Sequence, residues 1–68
     1  MSWNDVDPAT RELAHQVLTP RQLDVIRHRA NGHPWARIAT ALNLDEATVR
    51  GHHKRAVRKL ANARKDAA

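Results

Sequence analysis

The last third of the sequence is rich in side chains that can bind a polyanion. Residues 1–24 contain four acidic residues and two arginines, a net charge of −2. Residues 47–65 contain no acidic residue and seven basic ones, namely Arg50, Lys54, Arg55, Arg58, Lys59, Arg64 and Lys65. Guanidinium and ammonium groups bind phosphate oxygens, and a charge asymmetry of this kind points to a polyanionic partner. The distribution therefore predicts contact with a polyanion through the C-terminal third, the alternative being a solvated basic helix that only keeps the chain soluble.

These cations share one face of a predicted helix. When each residue is rotated by about 100° from the one before it, the side chains separate into two sides. One side collects the apolar and imidazole groups of Val49, His52, His53, Ala56 and Leu60. The opposite side collects small and basic residues, which are Ala47, Arg50, Gly51, Lys54 and Arg58, flanked by Thr48 and Arg55. The helix is therefore expected to pack through one side and to present a basic surface on the other.

That basic surface suits the major groove of double-stranded DNA, which is wide enough to admit one α-helix. Small side chains allow close approach and long cations reach guanine acceptors, so base contacts are predicted at Ala47, Arg50, Gly51 and Lys54. Phosphate contacts are predicted at Thr48, Arg55, Arg58 and His33. A glycine inside a helix costs about 1 kcal/mol relative to alanine. Gly51 therefore needs a reason, which is either close approach to DNA or crowding against a neighbouring helix.

Caps and apolar spacing define the segments that position this helix. Thr19-Pro20 combines an N-cap residue with a proline suited to the first turn of the second helix. Asp7-Pro8 is the corresponding pair at the start of the first helix. Asn31-Gly32 is typical of a helix end, and Asp45 is suited to cap the last helix. Helices are therefore predicted near residues 8–18, 20–31, 34–42 and 45–62.

The predicted fold class is all-α, a small bundle of about four helices. The chain has 68 residues and no cysteine, so a single small domain must be stabilised by packing alone or by a partner. Aromatic residues make up only 3% of the sequence, whereas alanine, leucine and arginine favour helix. Residues 1–68 are predicted to form one domain with its core in 18–60, and residues 1–7 and 63–68 are expected to be flexible.

The stretch from residue 18 to residue 60 resembles the helix-turn-helix shared by LuxR-type regulators and the fourth region of bacterial sigma factors. The LuxR-type patterns are LTxRExxVL, AxG, IAxxL, TVKxH and a closing KL. They are matched by Leu18, Thr19, Arg21, Val25, Ile26, Ala30, Gly32, Ile38, Ala39, Leu42, Thr48, Val49, Arg50, His52, Lys59 and Leu60. The resemblance implies that the bundle contains a helix-turn-helix with residues 45–62 as the recognition helix. It also aligns Arg50, Gly51 and Lys54 with base-contacting positions.

Other features look more similar to the sigma factors. Trp35 stands where the sigma pattern GxSYxEIA has an aromatic residue, and "TVRGHHKRAVRKL" is similar to the sigma ending TVRSRLSRARKRL. The sequence departs from the family at three positions, because Gln22 and Arg37 replace glutamates and His33 replaces a serine. These positions shape helix capping and the contacts around the motif.

Other kinds of site find little support in the sequence. His52 and His53 point about 100° apart on a helix, which makes a poor chelating pair, and no thiolate is present, so neither a metal nor another cofactor is predicted. The sequence contains no nucleophile–base pair and no glycine-rich phosphate loop, so no catalytic residue is assigned and the chain is not expected to be an enzyme. No apolar run approaches the roughly 20 residues of a membrane helix, and the N-terminus lacks the features of a signal peptide. A cytoplasmic, nucleoid-associated protein without membrane contact is expected.

The predicted function is that of a sequence-specific DNA-binding transcriptional regulator from a bacterium or a phage. One recognition helix reads only a few base pairs, so a homodimer or a partner protein is expected. One alternative is a module similar to the fourth sigma region that acts on RNA polymerase or a sigma factor. Another is an accessory DNA-binding subunit of a phage packaging or recombination machine, and the last is a helical bundle with no nucleic-acid role.

Overall fold

Four α-helices connected by short turns form the fold in a computed structural model that describes residues 1–67, with side chains described as far as Lys65. A short 3-10 helix spans Trp3–Asp5 and is followed by α1 (Pro8–Val17), α2 (Pro20–Ala30), α3 (Trp35–Leu42) and α4 (Glu46–Ala67). The described residues contain no strand. The all-α prediction is confirmed, and the bounds of the first three helices agree with the predicted ones to within one residue.

The first two helices begin with the predicted caps. The Asp7 carboxylate accepts a hydrogen bond from the Thr10 backbone N–H at 3.2 Å. The Thr19 hydroxyl accepts from the Gln22 N–H at 3.2 Å, and the Gln22 side-chain carbonyl accepts from the Thr19 N–H at 3.2 Å. This reciprocal pair is a capping box, in which glutamine serves as well as glutamate. The departure from the family at Gln22 therefore leaves the start of α2 intact.

Two residues with positive φ shape the turns on either side of α3. Gly32 has φ +84°, a left-handed conformation that glycine adopts without steric cost. Asn43 follows α3 with φ 55°, a conformation that asparagine tolerates better than most other residues. The Leu44 N–H then donates to the Ala39 carbonyl at 2.9 Å, which closes the end of α3. The turn from α3 to α4 is therefore short and fixed by its own hydrogen bonds.

The last helix is longer than predicted, because it continues to Ala67 instead of ending near Asn62. The extension consists mainly of alanine, arginine and lysine, which are strong helix formers, and neither glycine nor proline interrupts it. The Arg64 guanidinium also donates a hydrogen bond to the Thr10 hydroxyl of α1. Most of the predicted flexible end is therefore helical; its last residue, Ala68, lies outside the described residues.

The N-terminal segment, which is also expected from the sequence to be flexible, contacts the bundle. The Trp3 backbone N–H donates to the Asn31 side-chain oxygen at 2.6 Å. The hydroxyl and the backbone N–H of Ser2 both donate to the Asp5 carboxylate, at 3.1 and 3.0 Å. The Trp3 indole packs against an apolar cluster to which α1, α2 and α4 contribute. The N-terminal segment therefore has hydrogen-bonding and packing partners of its own.

Helix α4 joins two apolar clusters into one core. The first cluster contains Val25, Ile38, Ala39 and Val49, with Trp35, Leu42 and Leu44 packed against it. The second contains Ala14, Leu18 and Ala56, with Trp3, Val17, Leu23, Ile26 and Leu60 packed against it. The two α4 residues, Val49 and Ala56, are two turns apart and completely buried. The N-terminal half of α4 is therefore seated on α2 and α3, and its C-terminal half on α1 and α2.

Candidate nucleic-acid interface

Helix α4 has one buried side and one exposed side. Val49 and Ala56 have no exposed surface, whereas His52, His53 and Leu60 are half-buried beside them. Six of the residues predicted to contact DNA are exposed, and these are Ala47, Thr48, Arg50, Lys54, Arg55 and Arg58. The predicted division of this helix into a packed side and a basic exposed side agrees with the structure.

Arg50 is exposed but has two neighbours. Its side chain is 62% exposed, and its Nη2 atom lies 3.8 Å from the Glu46 carboxylate one turn earlier. Its Cζ atom lies 5.8 Å from the centroid of the Trp35 ring, within the range of a cation–π contact. The guanidinium thus has favourable contacts in the free protein and remains accessible from solvent.

Gly51 leaves room for a side chain of its own helix. A Cβ atom at Gly51 would meet only ordinary van der Waals contacts, the nearest being guanidinium atoms of Arg55 at 3.6, 3.8 and 3.9 Å. Crowding by a neighbouring helix therefore does not explain this glycine. The Arg55 side chain lies back over Gly51, which brings its charge towards the N-terminal half of α4. The sequence does not predict this arrangement, because it depends on the rotamer of a long side chain.

A cluster around Trp35 connects α2, α3 and α4. The Arg29 Cζ atom lies 4.1 Å from the Trp35 ring centroid, and the His53 ring meets the indole edge-on with centroids 5.0 Å apart. The Arg29 Nη1 also donates to the His33 carbonyl at 2.9 Å. Arg29 is therefore a residue whose role the sequence does not reveal. Its partners, His33 and Trp35, lie beyond the left-handed turn at Gly32 in the sequence. No local sequence pattern predicts these contacts.

His33 lies in the turn between α2 and α3, away from the other predicted contacts along the chain. Its Nδ1 atom is 2.9 Å from the Nδ1 atom of His28, so one imidazole donates a hydrogen bond to the other. The α4 residues are brought together on one helix face, whereas His33 is placed on a separate turn with its ring engaged by α2. A phosphate contact by His33 would have to use the remaining ring nitrogen, Nε2.

Two of these histidines are expected to make the stability of the fold dependent on pH. The pKa of His53 is lowered mainly by burial and further by the positive charge of Arg29. The pKa of His33 is lowered by desolvation first, then by the charges of Arg37 and His28. As the pH falls, the unfolded chain takes up these protons first, near its ordinary pKa of about 6.5. The free energy of unfolding should therefore keep its full value above about pH 6.5 and decrease as the pH falls from there towards the lowered pKa values.

Urea unfolding at about pH 7.5 and about pH 5.5 measures this decrease. His53→Gln and His33→Gln should each remove part of the difference between the two pH values, and the double variant should remove most of it. The comparison of pH values matters because His53→Gln also loses its contact with Trp35 at every pH. An undiminished decrease in the double variant would assign the effect to other groups.

Other kinds of site are not evident in the described residues. Within this part of the chain, no three His, Asp or Glu side chains converge in a way that could hold a metal ion. The helices that the structure describes are all too short or too polar to cross a membrane.

Comparison with known proteins identifies the family of this chain. Residues 16–68 match the sequence profile described as bacterial regulatory proteins, luxR family. No curated protein and no solved structure gives a significant match. The matched region begins near the end of α1 and includes α2, α3 and α4, so it contains the whole helix-turn-helix. Because the match covers most of the chain, the protein belongs to the luxR family of bacterial regulatory proteins, a family of DNA-binding helix-turn-helix regulators.

Proposed function

We propose that this protein is a sequence-specific DNA-binding transcriptional regulator that inserts α4 into the major groove, with residues 1–68 acting as one binding domain and no enzymatic role. The observation that carries the proposal is the two-sided character of α4. Val49 and Ala56 are completely buried on one side, and Arg50, Lys54 and Arg58 are exposed on the other. This orientation presents cations without exposing the apolar residues that hold the helix in place.

The dimensions of α4 are compatible with this role. An α-helix with side chains is about 10–12 Å wide, and the major groove is about 12 Å wide. The small residues Ala47 and Gly51 allow the helix axis to approach the base edges. Arg50 and Lys54 are four residues apart, or about 6 Å along the axis, which is close to two base-pair steps of about 3.4 Å. We therefore assign base contacts to these four residues.

Phosphate contacts are assigned to Thr48, Arg55, Arg58 and His33. The Arg55 and Arg58 side chains are exposed and lie beside the base-reading residues. His33 would donate through Nε2–H, which it carries when the His28 Nδ1–H donates to its Nδ1. The lowered pKa of His33 favours the neutral imidazole, which would add a hydrogen bond and no charge.

The binding unit is proposed to contain more than one recognition helix. A single helix of this type reads only a few base pairs, and dimers of helix-turn-helix proteins bind half-sites about 10–10.5 base pairs apart. The chain would therefore act as a homodimer or beside a partner protein such as RNA polymerase or a sigma factor.

Selection from random DNA duplexes, followed by gel-shift assays, tests the proposed function. An enriched motif recognised by the chain supports it, and an inverted repeat at helical spacing identifies a homodimer. A single half-site identifies a unit that needs a partner protein. Enrichment of no motif, with equal binding to all duplexes, contradicts sequence-specific regulation.

A second candidate function is a protein-interaction module that acts on RNA polymerase or a sigma factor. The observation in its favour is an uncovered apolar strip between α1 and α4, lined by Thr10, Val57, Leu60, Ala61 and Arg64. Val57, which belongs to neither apolar cluster, is 47% exposed there. An apolar contact should tolerate added salt, whereas binding to DNA should weaken steeply with salt.

The assigned phosphate contacts predict a specific change in that salt dependence. Arg58→Ala should weaken binding to all duplexes by a similar factor, because a phosphate contact does not depend on base sequence. The slope of log K against log salt concentration should become shallower by roughly 0.9, the value for one neutralised phosphate. Arg55→Ala should have a similar effect, and equilibrium titrations at several salt concentrations measure both.

Lys59→Ala is the matched control for Arg58→Ala. Lys59 is an exposed cation of the same turn, but it lies about 100° around the helix and outside the assigned contacts. Lys59→Ala should change the slope of log K against log salt concentration less than Arg58→Ala does. Equal slopes for the two variants and the parent would mean that the basic side of α4 is only a solvated surface.

A further inference from the structure

One tryptophan lies within cation–π range of two arginines, one from α2 and one from α4. The Trp35 ring centroid is 4.1 Å from the Arg29 Cζ atom and 5.8 Å from the Arg50 Cζ atom. A guanidinium group is attracted to the face of an indole within about 6 Å. Trp35 thus connects an arginine of α2 with the arginine of α4 that is proposed to read a base.

The position of the Trp35 ring is fixed without any help from Arg50. Its indole packs against the first apolar cluster, which is completely buried at Val25, Ile38 and Val49. The His53 ring meets it edge-on at an interplanar angle of 78°. The Arg29 guanidinium lies over the same ring, and its Nη1 donates a hydrogen bond to the His33 carbonyl. Contacts from α2, α3 and α4 therefore hold the indole in place independently of Arg50.

A second contact restrains Arg50 from within α4. The Glu46 carboxylate lies 3.8 Å from the Arg50 Nη2, in the favourable order of glutamate four residues before a cation. An arginine side chain free in solvent samples many rotamers, and two contacts of different geometry reduce that number. Because Arg50 is 62% exposed, these contacts direct the guanidinium without enclosing it.

We propose that Trp35, assisted by Glu46, positions the Arg50 guanidinium before DNA arrives, so that Trp35 sets base specificity without touching DNA. The inference rests on the proposed function, in which Arg50 contacts a guanine. A side chain that is already restrained loses less conformational entropy on binding. The same restraint disfavours rotamers that would contact a different base. Trp35 is thus a positioning residue for the recognition step.

The test compares discrimination in a double-mutant cycle. Discrimination is the ratio of affinities for the selected site and for a site whose Arg50-contacted guanine is replaced. Trp35→Leu keeps apolar bulk but removes the aromatic face, and it should lower this ratio by roughly two- to fivefold. Trp35→Phe keeps an aromatic face and should lower it less. In an Arg50→Ala background, Trp35→Leu should leave the ratio unchanged, whereas in an Arg58→Ala background it should act as in the parent.

Glu46→Gln provides a second variant that does not disturb the core, since the Glu46 side chain is 51% exposed. It should lower discrimination in the parent and have no effect on discrimination in the Arg50→Ala background. NMR relaxation of the Arg50 Nε–Hε group in the free protein gives a readout that does not involve DNA. Trp35→Leu should increase the mobility of that group and leave the Arg58 Nε–Hε group unchanged.

The outcomes separate the inference from the proposed function. If Trp35→Leu lowers discrimination equally with and without Arg50, Trp35 acts through the fold and the positioning role is overturned. Unchanged Arg50 mobility in Trp35→Leu also overturns it. If Arg50→Ala itself leaves discrimination intact, the assignment of Arg50 as a base reader is what fails, and the relaxation data still decide whether Trp35 restrains it.

Discussion

Replacing Arg50 with alanine should remove the preference for one base pair of the selected site and leave the fold intact. A bidentate contact from arginine to guanine is worth about 1–3 kcal/mol of discrimination, or roughly 5- to 150-fold in the ratio of affinities. The Arg50 side chain is 62% exposed, and within the protein the substitution removes an ion pair with Glu46 worth about 0.3–0.5 kcal/mol. Titrations of the selected site and of single-base variants measure the first effect, and thermal unfolding measures the second.

Arg50→Lys is the matched control, because it keeps the charge and removes the planar fork of donors. Lysine cannot make the bidentate contact, so most of the discrimination should disappear, whereas the salt dependence should stay near that of the parent. Arg50→Ala should lose this discrimination too, and it should change the salt slope less than Arg58→Ala does, because Arg50 is assigned to a base and not to a phosphate. If Arg50→Lys discriminated as well as the parent, Arg50 would be acting as a simple charge near a phosphate.

The helices were predictable because their signals are local. Thr19-Pro20 is an N-cap followed by a first-turn proline within two residues, and the structure forms the capping box there. The end of α4 was not predictable in the same way. Asn62 is a weak stop signal, and the residues after it are good helix formers that gain a contact with Thr10 of α1. Contacts between residues so far apart along the chain leave no trace in local sequence.

The orientation of the candidate site was predictable because it depends on helical periodicity. Rotation by about 100° per residue places Val49 and Ala56 on the packed side, and both are completely buried. The side-chain details were not predictable, because they depend on which rotamers the assembled fold allows. The contact of Arg29 with Trp35 and the position of Arg55 over Gly51 are of this kind.

Those details refine the explanation of the glycine in α4. From the sequence, Gly51 is expected to leave open space for DNA or to relieve crowding. In the structure the guanidinium of Arg55 borders this space, and a methyl group at position 51 would lie at ordinary van der Waals distance from it. A small side chain is therefore compatible with the fold at this position, and the helix gains from any residue with a higher helix propensity than glycine. Stability and DNA binding should respond to substitution here in opposite directions.

Gly51→Glu should stabilise the fold and abolish specific DNA binding. Glutamate improves helix propensity over glycine by roughly 0.5–1 kcal/mol, and its pairing with Arg55 four residues later adds about 0.2–0.5 kcal/mol. The same carboxylate would face the phosphates and base acceptors of the groove and would neutralise Arg55. Juxtaposed like charges at an interface cost several kcal/mol, so affinity for the selected site should fall on the order of 100-fold or more.

Gly51→Ala separates the effect of the charge from the effect of replacing glycine. It should raise the free energy of unfolding by up to about 1 kcal/mol, or about 4–8 °C in Tm, because a methyl group fits at 3.6 Å from Arg55. Its effect on DNA affinity reports how closely the α4 backbone approaches the bases: a large decrease means that even a methyl group is excluded from the interface. Gly51→Glu has to bind far more weakly than Gly51→Ala while melting at least as high as the parent. If Gly51→Glu instead bound the selected site as tightly as Gly51→Ala, this side of α4 would not enter the groove.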